Sequence, residues 1–399
     1  MVEEFSIEEQ IRFKPPFCPN EDCTLHLFGQ KMENNSDETV NKQIRRQYQK
    51  IQFYRSKGWS KRDTFPHRVR RYKCKVCSHS FGLTSFKLDY RQKKPGLNPE
   101  IFSFFTVGAS NREIGRRLNC SEHLVRGRLK TLAQWALLRQ TELSSQHQIN
   151  EPIVYDGLEN FAKSQYEPNQ IQHAIGKSTL FIHDFNFCPI NRKGRMSAVQ
   201  KKIRDYQYET IGRFPTSAIR ISSCEIFRRL FEKRKDKNKP LVLCSDEHFQ
   251  YRRAVQYDLK DCNIEHITIS SKDYRNYMNL LFPVNHSDLL TRQHIAAFRR
   301  ETIAFSKTHS RMIQKFALFM IWKNFLKPQV VKKQKINIKS NLQSPAMAAG
   351  LVDRILSFEG FFDQKRSLKQ VPLNREWKCY YHEIPTYSRE LKTAAQVWI

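Results

Sequence analysis

The stretches PIVYDGLENF (152–161) and LVLCSDEH (241–248) decide the fold. Each is a short apolar run that ends in an acid, Asp156 in the first and Asp246 in the second. Runs of that length bounded by polar residues suit strands buried in a sheet. Working outward, IQHAIGK (171–177), STLFIHDFNF (178–187) and IEHITIS (264–270) read as further strands. Helical, strongly basic sequence stands at 196–239, and a long helical region is expected from Ser287 to Phe325. Three adjacent strands, a helix, a strand, a helix, a strand and closing helices describe an α/β layer with a mixed sheet.

A carboxylate at the end of a buried strand is costly unless it meets a cation, and a divalent metal is the natural partner. Phosphodiester chemistry uses two Mg²⁺ or Mn²⁺ ions roughly 4 Å apart, bridged by carboxylates, and adjacent strand ends could hold Asp156 and Asp246 in that geometry. A third ligand is expected from the helix after the last strand, where FPVNHSDLLTRQHIAAF (282–298) offers Asn285 and Asp288, with Glu301 further along. Asp288 ranks first, because Mg²⁺ prefers carboxylate oxygen, Asn285 second and Glu301 third. Against this, Asn285 could cap the helix, and Asp288 could pair with Arg292 at i+4. A strand-end turn or a structural ion pair would equally account for Asp156 and Asp246.

Composition favours a polyanion as partner. Lysine and arginine number 69 against 39 acids, and the excess is spread along the 399 residues. The acidic amino terminus MVEEFSIEEQ argues against a signal or a basic membrane anchor. ALFMIW (317–322) is too short to span a bilayer and is expected to be a core helix, so a soluble protein is expected.

Four of the ten cysteines fall in two pairs, FCPNEDC (17–23) and CKVC (74–77), and the others are scattered singly. Cys18, Cys23, Cys74 and Cys77 are the expected ligands of one structural Zn²⁺ in a ribbon, with Phe81 packed beneath the second loop. Ordinary buried thiols are the alternative, and His79 could replace a cysteine, although it is expected to face solvent. The polar stretch 30–65 between the pairs reads as an insertion with little core of its own. Next, SNREIGRRLNCSEHLVRGRLKTL (110–132) closes a run of three expected helices with a helix, a tight turn and a second helix capped by Ser121. Ile114, Leu118, Leu124, Val125 and Leu129 would face inward, leaving His123, Arg126, Arg128 and Lys130 outward to contact DNA. An amphipathic hairpin with a solvated basic face is the competing view.

Taken in order, CPNEDC, CKVC, NREIGRRL, VYDGLENF, LCSDEH and FPVNHSDLLTRQHIAAFRRETIAFSK resemble bacterial insertion-sequence transposases of the DDE/DDD superfamily with an amino-terminal zinc ribbon and helix-turn-helix. The likeness covers roughly residues 15–350. It implies an RNase H-like core in which Asp156 and Asp246 match the first two acids and the third lies at Asn285 or Asp288, Asn285 standing where the family usually has glutamate. The expected organisation is a zinc ribbon with insertion (1–95), a helix-turn-helix domain (96–145), a catalytic domain (148–330) and a basic carboxy-terminal extension (331–399). The resemblance also implies double-stranded DNA as partner, as terminal inverted repeats and target, a homodimer or larger assembly on paired ends, and a cytoplasmic, nucleoid-associated setting. Strand cleavage and transfer with Mg²⁺ or Mn²⁺ is the expected activity. A catalytically degenerate DNA-binding regulator and a host structure-specific nuclease are the alternatives.

Overall fold

The computed structural model describes residues 7–27, 52–63, 67–94, 96–270, 272–300, 302–330, 342–363 and 365–391. Two compact units emerge, Met1–Glu100 with Phe358–Leu373, and Ile101–Ser357 with Asn374–Ile399. The four segments read from the sequence are thus grouped differently: the helices after residue 100 share a unit with the sheet, and the carboxy-terminal extension divides between both units.

The first unit holds a short helix, α1 (Ile7–Arg12), and an antiparallel sheet of β1 (Tyr54–Lys61), β2 (Arg68–Cys74) and β3 (Ser80–Gly82). Part of the expected insertion is therefore an edge strand. Its side chains are mostly exposed, so its polar sequence carries no strand periodicity. Residues 30–51 and 64–65 of that insertion lie outside the described residues. Gln10 serves as a surrogate strand for β2: its Nε2 donates to the Arg68 carbonyl at 3.0 Å, and its Oε1 accepts from the Arg70 N–H at 3.0 Å. Beneath lies a small aromatic core of Phe17, Phe53, Tyr72, Phe81 and Phe86 around the cysteines.

In the second unit the three expected helices appear as α2 (Leu97–Thr106), α3 (Asn111–Arg117) and α4 (Glu122–Leu143). Ser110 and Ser121 cap the last two, accepting from the Glu113 and Leu124 N–H groups. Asn119 takes the left-handed conformation in the turn (φ 45°), and Gly115 lets α3 close onto it, since a Cβ there would stand 2.7 Å from the Cys120 carbonyl oxygen. Then come β4 (Ile153–Phe161), β5 (Pro168–Gly176), β6 (Ile182–Pro189), α5 (Ala198–Ile211), α6 (Ala218–Glu232), β7 (Leu241–Asp246), α7 (Phe249–Arg253), β8 (Ile264–Ile269), α8 (Phe282–His294), α9 (His309–Ile321) and α10 (Arg375–Tyr381).

The five-stranded sheet has the order β6-β5-β4-β7-β8. The first three strands are antiparallel, and β7 and β8 join β4 in parallel. One face carries Ile153, Tyr155, Ala174, Leu241 and Leu243 against Ile226, Phe227 and Leu230 of α6 and Tyr251 of α7. On the other face α9 is buried almost all round, as the apolar run ALFMIW requires. Its continuation pins β6: Asn324 accepts from the Ile182 N–H at 2.9 Å and donates to the Ile182 carbonyl at 3.0 Å, while the buried Lys323 ammonium donates to the Leu180 carbonyl. Burial depresses that lysine to about 7.

The long helical region expected from Ser287 to Phe325 consists of separate helices. α8 starts five residues earlier, at Phe282 with Pro283 in its first turn, and stops at His294. Ile295 is extended, and Thr308 caps α9 by accepting from the Arg311 N–H at 3.3 Å. Apolar spacing did not reveal this break, because the residues between the helices, among them Ala297 and Phe298, are themselves buried.

Candidate functional site

In the first unit the Sγ atoms of Cys18, Cys23, Cys74 and Cys77 all lie within 4.8 Å of one another, so these four residues could hold one metal ion. Cys18 and Cys77 stand 3.5 Å apart and Cys23 and Cys74 3.9 Å apart. Four thiolates around Zn²⁺ at the usual bond length are about 3.8 Å apart, so the set fits a tetrahedral zinc centre. Two knuckles make it. The Cys23 N–H donates to Asn20 O and the Cys74 N–H to His79 O, with Ser78 in the left-handed region (φ 58°) to close the second loop. Burial pushes the Cys18 and Cys23 thiols up. Burial works in the same direction on Cys77, but the His79 N–H and the Asn20 side chain outweigh it and bring Cys77 to about 7. His79 is exposed and outside the cluster. Sequence reading missed His26. It is buried, with Nδ1 2.8 Å from the Cys18 carbonyl and Nε2 2.6 Å from the Ser367 hydroxyl, and it braces the first knuckle against a segment distant in sequence.

In the second unit the candidate acids meet where β4 outruns β7: Asp246 is the last residue of β7, but Asp156, expected at a strand end, lies inside β4, which continues to Phe161. β4 and β7 pair as Ile153↔Leu243, Val154↔Cys244 and Tyr155↔Ser245, so one step further along the same register Asp156 and Asp246 stand side by side. Residues in register on parallel strands point to the same face. On its other side Asp156 is paired with His173 of β5. α8 then brings in Asp288, whose Oδ1 lies 3.4 Å from His173 Nε2. The three carboxylates are drawn together more loosely than the cysteines, which alone among the described residues meet the 4.8 Å spacing.

The electrostatics report the crowding. Burial first, then the Asp246 charge, raises the Asp156 carboxyl to about 7 against the N–H of Gly157 and the guanidinium of Arg275. Burial, then Asp156, holds Asp288 well above the usual carboxylate range against Arg292 and Arg275. Asp156 Oδ1 accepts from the Gly157 N–H at 2.7 Å, and Asp246 Oδ1 from the His248 N–H at 3.0 Å. A Cβ at Gly157 would stand 2.8 Å from Gln170 Oε1 and 3.2 Å from the Tyr251 hydroxyl, so a larger residue there would have to displace the Gln170 side chain. His173, also unforeseen, is wholly buried, and burial depresses it to about 4. Its Nδ1 lies 3.2 Å from the Ile171 carbonyl, which can only accept, so Nδ1 carries the proton and Nε2 turns a bare lone pair toward Asp288. Among the described residues neither Nε2 nor Asp288 Oδ1 has a hydrogen-bond partner, so the pair is a buried polar junction left incomplete there.

The alternatives for the third ligand are narrowed by position. Asn285 does not cap α8, whose cap is Leu281; it lies inside the first turn, half-buried. Arg292 does not form the expected ion pair with Asp288, since its guanidinium donates to the carbonyls of Glu159 and Phe298. Glu301 lies outside the described residues.

The expected DNA-contact set divides. His123 is exposed, and Arg126 is half-exposed with its guanidinium 2.8 Å from His123 Nδ1. Arg128, however, is 8% exposed, and Lys130 is held in an ion pair with Glu383. The reason is length. α4 runs for 22 residues, and Leu129, Leu132, Ala136 and Leu137 sink it into the core, carrying Arg128 inward while Lys130 stays half-exposed. The outward cations lie on α3, where Arg112, Arg116 and Arg117 are exposed. No protein-family model matches the chain, and no curated protein does.

Proposed function

We propose that this chain is a DNA transposase of the DDE/DDD kind, with an RNase H-like core in which Asp156, Asp246 and Asp288 hold divalent cations. The observation that carries the reading is the register: two acids on adjacent parallel strands, and a third on a following helix that meets the strand neighbour of the first. Three antiparallel strands followed by two parallel ones support the same core. Buried acids this close repel one another, and divalent cations would relieve that repulsion. Mg²⁺ or Mn²⁺, when bound, supplies an activated attacking oxygen and stabilises the leaving one. The chain's own part is positional. Gly157 and His248 fix one oxygen each of Asp156 and Asp246 through backbone N–H groups, and His173, held in one tautomer by Ile171, stands 3.4 Å from Asp288.

Basic surfaces suit the DNA partner. The β1–β2 ribbon carries Arg55, Lys57, Lys61, Arg68, Arg70, Arg71 and Lys73, and a two-stranded ribbon fits the major groove. The exposed arginines of α3 and the four-cysteine ribbon complete an end-reading apparatus. The test is strand cleavage of the element's own flanking inverted repeats with Mg²⁺ or Mn²⁺. Asp156→Ala and Asp246→Ala are each expected to abolish it. Asp288→Ala is expected to lose far more activity than Asn285→Ala. Activity that survives loss of Asp156 or Asp246 refutes the metal core, while binding to those ends with no cleavage by the wild type marks a regulator.

A further inference from the structure

Helix α5 is out of place as a solitary element. It spans 14 residues and buries none of them, a length at which an isolated helix is marginal in water. Yet its ends are carefully made. Ser197 and Gln200 form a reciprocal capping box, and Gly212 closes the carboxy end in the left-handed region (φ 82°). One side touches the unit: the Tyr208 hydroxyl accepts from the Arg192 N–H at 2.8 Å and Arg213 lies over its ring, while Gln207, one turn on from Ile203 at the border of that side, reaches Glu167. The opposite side presents Val199, Ile203 and Tyr206, exposed by 65%, 46% and 69%, with Thr210 completing the row. Steps of four, three and four residues place these four on one stripe, the seam of a two-helix coiled coil.

We infer that α5 pairs antiparallel with α5 of a second copy of this chain, burying the stripe in a two-fold interface. The charges choose this partner and this direction. Lys201, Lys202 and Arg204 occupy the amino half of the helix and Asp205 and Glu209 the carboxy half. Seven residues apart, Lys202 and Glu209 share one flank of the stripe. Across an antiparallel two-fold, like flanks meet with their order reversed, so Lys202 of each copy faces Glu209 of the other. A parallel pair would instead set the cationic halves against each other and align the helix dipoles unfavourably. The pairing stands on the helix alone and requires no nuclease activity.

Sedimentation equilibrium of the full chain without DNA tests this. The wild type is expected to show a reversible monomer–dimer equilibrium. Ile203→Glu is expected to raise its dissociation constant at least about a hundredfold, and Lys202→Glu about tenfold. The double variant Lys202→Glu/Glu209→Lys, which swaps the pair, is expected to regain near-wild-type association, a rescue that no merely local damage would give. Circular dichroism and zinc content should be unchanged throughout, since the substituted side chains are exposed. A wild type that is monomeric at every concentration overturns the inference. So does a dimer indifferent to Ile203→Glu, or a charge swap that fails to rescue. Loss of duplex-DNA affinity in Ile203→Glu with self-association untouched would assign the stripe to nucleic acid and overturn it as well. Asp156→Ala should dimerise like the wild type, so failure of the catalytic reading leaves this result standing.

Discussion

The cysteine cluster and the carboxylate edge are both gatherings of would-be anions, but they are built on opposite plans. The four thiols come from two short knuckles, each closed by its own backbone hydrogen bonds, in a unit with a small aromatic core. The three acids come from two strands and a helix far apart in sequence, and the sheet and α8 position them. A metal in the first region would therefore contribute to folding, whereas cations in the second would relieve a repulsion that the fold already sustains.

The comparison breaks most visibly if metal is withheld. Cys74→Ser, or a strong chelator, is expected to reduce bound zinc from one ion per chain to nearly none and to expose the first unit to proteolysis. Structural zinc typically contributes on the order of 10 kcal/mol. The second unit should persist, and limited proteolysis with metal analysis checks both statements. A first unit that stays resistant without metal would place its stability in the aromatic core alone.

At the carboxylate edge the sign is reversed. Asp156 titrates at about 7 in the folded chain, above the ordinary aspartate value expected when unfolded. A carboxyl raised in this way stabilises fully below the unfolded value and loses that contribution as pH rises through the folded one, so metal-free stability should fall between about pH 4 and pH 7. The raised value corresponds to roughly 4 kcal/mol at most. Asp156→Asn should flatten this slope in thermal denaturation with chelator present, and Mg²⁺ should restore stability at pH 7 to the wild type only. An unchanged slope in the variant would remove Asp156 as its source.

A smaller effect separates the two ends of the helical segment. Arg116→Ala, on exposed α3, is expected to weaken duplex binding with the salt slope reduced by about 1, the mark of one lost phosphate contact. Arg128→Ala should leave that slope unchanged and lower the melting temperature instead, because the side chain is buried. Salt titrations of binding and thermal melts distinguish them.

How much was legible follows from what each feature depends on. The strands holding Asp156 and Asp246 were readable because burial on both faces leaves continuous apolar runs, and the cysteine pairs because chelation demands fixed spacing. The extension of β4 past Asp156 to Phe161 was hidden because Gly157, Glu159 and Asn160 interrupt the apolar run. The end of α8 was hidden because Ala297 and Phe298, just beyond it, are buried apolar residues, and the exposed Ile303 continues the apolar pattern without a core face. His173 was hidden because a histidine inside a strand gives no sign of what lies across the register, and the facing Asp288 is supplied by a distant helix. The burial of Arg128 was hidden because the local hairpin pattern does not reveal how far α4 continues into the core.

The most direct test of the account is calorimetric titration of Mn²⁺ into the zinc-loaded full chain at pH 7.5. Binding at a carboxylate site is expected in the wild type, lost in Asp156→Ala and in Asp246→Ala and weakened in Asp288→Ala, with zinc content constant. Equal Mn²⁺ binding by the wild type and Asp156→Ala would contradict it.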